Sequence, residues 1–172
     1  MPLTRPDSTE YAPYYAGYVS LVPEGNVIDV LANQFDDTDR LLRPLSDDQA
    51  AFRYAPGKWS VKEIVAHLSD TERVFATRAL HFARGYRASL PGYNQDDYVE
   101  QAASDNHPLQ ALLDEFQTVR RATVTLFRNL PPEAWERRGI ADEVGFSVRA
   151  IPYIIAGHEL HHRTVLQERY LS

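Results

Sequence analysis

Four apolar stretches with 3–4 spacing, each cut short by proline or glycine, limit this chain to one class of fold. Val27, Ile28, Leu31, Phe35, Leu41 and Leu42 form the first, with Pro44 behind it. Ile64, Val65, Leu68, Phe75, Ala79 and Phe82 form the second, stopped by Gly85. Leu109, Leu112, Leu113, Phe116, Val119, Thr123, Leu126 and Leu130 form the third, ahead of Pro131 and Pro132. Ile151, Ile154, Ile155, Val165 and Leu166 form the fourth. This spacing gathers apolar side chains on one face of a 3.6-residue helix, and proline and glycine end such a helix. The pattern predicts helices over about 24–42, 61–84, 108–129 and 147–170, with no strand. Helices that each bury one stripe meet in an all-α antiparallel four-helix bundle. Ser60-Val61-Lys62-Glu63 has the form of a capping box, and Ser46-Asp47-Asp48-Gln49 opens a short turn in the same way.

The remaining segments complete a single domain over 1–172, a length that buries a core without staples. Residues 1–23, rich in tyrosine and proline, predict an irregular arm packed by its rings. Residues 85–107, with Pro91-Gly92 and Tyr93-Asn94, predict a polar lid or interface loop, and residues 133–137 one further turn.

Composition removes whole classes of function. Cysteine is absent, which excludes thiolate metal ligands, disulfides and a cysteine nucleophile. Any metal must be held by histidine or carboxylate, and any thiol must come from outside. The 18 Lys and Arg stand against 24 Asp and Glu, a net charge of −6. No nucleic acid is expected as a partner, because displacing phosphate counterions needs a basic excess. Arg120-Arg121 and Arg137-Arg138 read as solvated helix sides. No apolar window reaches bilayer length and residues 1–10 lack a signal-peptide pattern, so no membrane partner and a cytoplasmic location are expected.

The chemistry concentrates in Gly157-His158-Glu159-Leu160-His161-His162. His158 and His162 are one helical turn apart, where two imidazoles can ligate one ion, and they share a side with Ile151, Ile154 and Ile155. Imidazoles buried among aliphatic groups need partners for their ring nitrogens, which a metal or core hydrogen bonds supply. His67 lies at the margin of the second apolar stripe, about 60° from Ile64, where a ligand and a surface histidine are both accommodated. His161 falls on the flank, and His81 and His107 have no partner at ligand spacing. Asp70 and Glu159, adjacent to these histidines in helical register or sequence, are the carboxylates placed to act as base or to orient a ring.

His158 to His162 also spell the His-Glu-x-x-His pattern of zinc proteases. The extended pattern needs glycine at 165 and histidine at 168, where this chain has Val165 and Glu168. Glu168 stands about 9 Å along the helix from His162, too far to complete the site. A metalloprotease is the weakest of the functional readings.

Taken together, these residues resemble the DinB/YfiT-like superfamily. The resemblance rests on Gly57-Lys58-Trp59-Ser60, on His67-Leu68-Ser69-Asp70-Thr71-Glu72-Arg73, on Leu90-Pro91-Gly92-Tyr93, and on Gly157-His158-Glu159 with His161-His162. It implies an up-down-down-up bundle, a divalent metal (zinc or nickel) held by His67, His158 and His162, and a homodimer. It implies a small-molecule substrate with thiol S-transferase-like or hydrolase chemistry, the former with a low-molecular-weight thiol such as bacillithiol or mycothiol as co-substrate. Arg73, Arg78 and Arg84 could meet such an anionic thiol or form ion pairs. The contrasting reading is a non-catalytic, stress-related binding or dimerisation bundle with a structural metal.

Overall fold

The computed structural model describes residues 3–171. Four long helices form the bundle: α2 (Val27–Leu42), α4 (Val61–Ala83), α6 (Leu109–Arg128) and α7 (Ala150–Arg169). Short helices α1 (Ala16–Leu21), α3 (Asp47–Ala50) and α5 (Gln95–Ala102) lie between them, with a hairpin of β1 (Arg138–Ala141) and β2 (Val144–Ser147). Both expected capping boxes form, Ser60 with Glu63 at α4 and Ser46 with Gln49 at α3. No helix among the described residues is long and apolar enough to cross a membrane.

Contacts between helix ends fix the topology. Ser60 at the start of α4 bonds Asp105 just ahead of α6 at 2.6 Å, so α4 and α6 run parallel. Arg43 at the end of α2 meets Gln110 near the start of α6 at 2.8 Å, so that pair is antiparallel. The Tyr170 hydroxyl at the end of α7 donates to the Trp59 carbonyl before α4 at 2.6 Å, making α4 and α7 antiparallel. Gln34 reaches Ala156 and Arg163 reaches Asp37, so α2 and α7 are parallel. The order is up-down-down-up. A parallel neighbour for the 23-residue α4 requires the chain to travel back about 35 Å. That return occupies residues 84–108.

Three segments depart from the pattern expected of the sequence. The arm is not wholly irregular: Ala16–Leu21 form α1, which packs along α7. The 85–107 connection holds α5, capped by Asn94. Residues 138–147 form a hairpin, overturning the absence of strands; its four-residue strands each contain a glycine and are too short to show alternation. Asp142 and Glu143 take positive φ of 53° and 61°, as a two-residue hairpin turn demands. A Cβ on Gly139 would lie 1.9 Å from the Phe82 ring, so the hairpin can sit against the end of α4 only with glycine there. Leu90 joins the hairpin edge through Ile140 and Asp142.

The core has two apolar halves. One gathers Val27, Leu31, Phe82, Phe127, Phe146 and Ile151, the other Phe35, Leu42, Leu68, Leu113, Phe116 and Leu166. A buried polar layer separates them. Arg120, 3% exposed, donates to Glu72 through Nε and Nη2 at 2.8–3.1 Å and meets Glu159 Oε2 at 2.7 Å. Its Nη1 donates to the Leu31 carbonyl at 3.0 Å. Thr38 donates to Glu159 Oε1 at 2.6 Å, and Gln34 donates to Glu159 Oε2. Burial opposes the charge on Arg120, but Glu159 and Glu72 more than offset it and raise its pKa. Arg120 is thus no part of a solvated basic face.

Two expectations follow. Arg120→Leu leaves two carboxylates buried without their cation and should lower stability by about 3–5 kcal/mol, read by urea unfolding; a change under about 1 kcal/mol would show the layer to be dispensable. The second concerns Glu10, which ties the arm to Ser147 (2.6 Å) and Arg149 (2.5 Å). Burial pushes its carboxyl up, yet hydrogen bonds from Arg149, Ser147 and the Asp7 amide prevail and hold it at about 2. A carboxyl depressed in the fold adds stability that is complete above its unfolded value and is lost as pH falls from about 4.5 towards 2. Glu10→Gln should therefore lose on the order of 3 kcal/mol at pH 7 and have a flatter acid-unfolding profile than the parent.

Candidate metal centre

The site is set by two antiparallel helices. His158 and His162 project from successive turns of α7, and α4 brings His67 opposite them. The Nε2 atoms of His67 and His158 are 3.0 Å apart, those of His162 and His158 3.1 Å. One ligand atom from each ring lies within 4.8 Å of the other two. An ion about 2.0–2.1 Å from each of three nitrogens in tetrahedral array would space them about 3.4 Å apart, so the donor set fits zinc or nickel with little adjustment. His67, only marginal on the helical wheel, is 2% exposed.

Electrostatics favours neutral ligands. Burial lowers the His67 pKa to about 4. Burial first, then the neighbouring imidazoles, lowers His162 to about 3 and His158 well below its ordinary value. At neutral pH all three rings carry a lone pair. The Thr71 hydroxyl stands 3.4 Å from His67 Nδ1 and 2.8 Å from the Tyr93 hydroxyl. With the proton on Nδ1 donated to Thr71, the His67 Nε2 lone pair faces the other rings.

Aromatic residues wall the centre. Trp59 lies 4.6 Å from the His67 ring and stacks at 6.4 Å on His162. Tyr18 on α1 meets the His158 ring edge-on at 5.4 Å. That contact depends on Gly157, where a Cβ would lie 1.9 Å from the Tyr18 carbonyl oxygen. Two openings reach the histidines. One, of about 160 Å³, is lined by Tyr15, Tyr18, Thr71, Tyr93 and His158. The other, of about 330 Å³, is lined by Lys58, Trp59, His161, His162 and Tyr170.

The other singled-out residues are placed differently. Both Glu159 oxygens are engaged by Arg120, Thr38 and Gln34, so its carboxylate belongs to the ionic layer and not to the histidine cluster. Asp70 is half-buried and pairs with Arg73 at 3.4 Å; burial raises its pKa against the pull of Arg73. His161 is exposed, with Tyr18 at 5.5 Å. His81 bonds the Thr77 carbonyl within its own helix, and His107 is exposed. Thr71 and Tyr18 were not picked out by sequence as parts of the site. For Thr71 a signal existed, its position four residues after His67 on the same face. Tyr18 had none, because its place depends on how α1 crosses α7.

The DinB superfamily model matches residues 31–166. An Oceanobacillus iheyensis protein named "Putative metal-dependent hydrolase" is 25% identical over 141 residues, 79% of this chain and 81% of its own. A second protein of that name from the same organism is 21% identical over 136 residues, 78% of this chain and 76% of its own. Two solved structures share the fold. YfiT from Bacillus subtilis, described as a probable metal-dependent hydrolase with an unusual four-helix bundle topology, has a TM-score of 0.74 at 18% identity, covering 86% of this chain and 87% of that one. The mycothiol-dependent maleylpyruvate isomerase has a TM-score of 0.69 at 10% identity, covering 85% of this chain and 61% of that one. The family match runs from α2 to the last turns of α7 and takes in all three histidines: the chain belongs to the DinB superfamily.

Proposed function

We propose that this protein is a divalent-metal-dependent enzyme acting on a small molecule, with hydrolysis as the first reading. The observation that carries it is the convergence of three neutral imidazoles from α4 and α7, those of His67 and His158 buried and that of His162 half-buried. Three ligands leave open positions on zinc or nickel, the arrangement of a catalytic site and not of a closed structural one. The ion, when bound, supplies Lewis acidity that polarises an oxygen and makes water or a thiol more acidic. The protein's own groups do the rest. Thr71 and Tyr93 hold the His67 ring in register, and Trp59 and Tyr18 keep bulk water from the flanks. Asp70 is the group we assign as proton acceptor: it is half-buried and lies one turn from His67 on α4. Glu159, engaged by Arg120, Thr38 and Gln34, holds α7 in place.

Thiol S-transfer is the second reading. It is favoured by the two separate openings, which give a thiol and an electrophile different approaches to one centre. The names of the two Oceanobacillus relatives put hydrolysis ahead.

Protein purified without a histidine tag should carry about one zinc or nickel per chain by elemental analysis. His158→Ala should lose the ion while keeping its helical circular dichroism. Asp70→Asn should keep the ion and lower kcat by about 10²–10⁴ on whichever ester, amide or thiol–electrophile pair is turned over. A chain that binds no metal at neutral pH overturns the proposal. A stoichiometric ion that raises the melting temperature without any turnover leaves the non-catalytic bundle instead.

A further inference from the structure

We propose that the opening beside His158 holds a small molecule by its carboxylate, with Arg78 as the anchor. This names a substrate class for the proposed enzyme, and it rests on the metal-centre reading only for the far end of that molecule.

Arg78 is the buried cation that the fold does not explain. It is 4% exposed and lines the cavity that ends at His158. Arg120, the other deeply buried arginine, has two carboxylates. Among the described residues Arg78 forms no ion pair. Its Nη2 donates to the Pro91 carbonyl at 3.3 Å, and its Nε, shielded from solvent, has no hydrogen-bond partner. Asp142 lines the same cavity without pairing to it. The guanidinium lies over Phe75 at 5.0 Å and Phe146 at 5.8 Å. Such contacts stabilise a buried cation only in part. They fall short of what an unmatched buried charge costs. An anion drawn into the cavity removes that mismatch.

The surroundings narrow the anion. One guanidinium accompanied by the hydroxyls of Tyr15, Thr71 and Tyr93 suits a single carboxylate, whereas a phosphate dianion calls for more cationic donors. Phe75 and Ile154 give the cavity apolar walls for a carbon body. Arg78 is eleven residues beyond His67 on α4, about 16 Å along the helix axis, and its side chain leans back over Phe75 towards the histidines. A molecule several bonds long can therefore rest its carboxylate on Arg78 and present its other end at His158.

Metal-stripped protein titrated with sodium benzoate, benzamide and inorganic phosphate by calorimetry tests this without turnover. Benzoate should bind at least about tenfold more tightly than benzamide and more tightly than phosphate. Arg78→Met should erase the preference for benzoate, and Arg78→Lys should restore part of it. Asp142→Asn, which removes a competing carboxylate and tolerates the same positive φ, should tighten benzoate binding. Equal affinity for benzoate and benzamide, tighter binding of phosphate, no benzoate binding, or no change in Arg78→Met overturns the proposal. Should Arg78→Met not fold, an unchanged benzoate affinity in Asp142→Asn counts against it equally. Benzoate bound by a chain that takes up no metal would sink the enzyme reading alone. Metal without benzoate binding would sink the carboxylate subsite alone.

Discussion

Arg120 at mid-height of the bundle holds together groups from all four long helices. It bonds Glu72 of α4, Glu159 of α7 and the Leu31 carbonyl of α2 from its own place on α6. Two carboxylates and one guanidinium buried together make one net negative charge, an arrangement that an aliphatic core of the same volume would often better in stability. The layer's value lies in register. Each helix must present its polar group at one level, so α4 and α7 cannot slide by a turn without stranding a charge. That same register sets His67 opposite His158 and His162, five residues from Glu72 and adjacent to Glu159 respectively. The histidine cluster is held in place because the layer beneath it does not permit slack.

The bundle was legible because each long helix buries one stripe, and 3–4 spacing with proline and glycine stops is a strong local signal. The pair His158 and His162 was legible for the same reason. His67 was not settled by periodicity: a residue at the stripe margin on a wheel can be buried by a wide neighbour, here Trp59 and α7, which no single-helix projection contains. Arg120 misled for the complementary reason. Next to Arg121 it looks like half of a solvated pair, yet consecutive helical residues point about 100° apart, and only one of the two faces the core. Glu159 reads as catalytic because it follows His158 in sequence, while its side chain turns to a different neighbour.

Elements that the four stripes do not encode build part of the opening beside His158. Tyr18 comes from α1, Tyr93 from the return that makes α4 and α6 parallel, and Asp142 from the hairpin turn. None of these has helical periodicity strong enough to place it, and each is positioned by close approach: α1 by Gly157, the hairpin by Gly139 against Phe82. The three imidazoles therefore belong to the rigid scaffold, whereas part of the wall beside them belongs to connections. Connections change with little penalty to the core, so that part of the wall can vary while the imidazoles stay fixed.

That division also explains why the two openings differ in character. The one at His162 is walled by Trp59, the helix-capping segment before α4, and Tyr170 at the end of α7, with Lys58 as its nearby cation. Its walls are ends of the long helices and are tied to one another by the Tyr170–Trp59 bond. The one at His158 is walled by α4 and α7 together with the connections, and contains a buried arginine whose Nε has no hydrogen-bond partner. Specificity gains most where a polar group is buried without its partner, because the wrong ligand then leaves it so. On that ground the Arg78 side of the cluster, and not the larger cavity, is where the proposed carboxylate subsite discriminates between ligands.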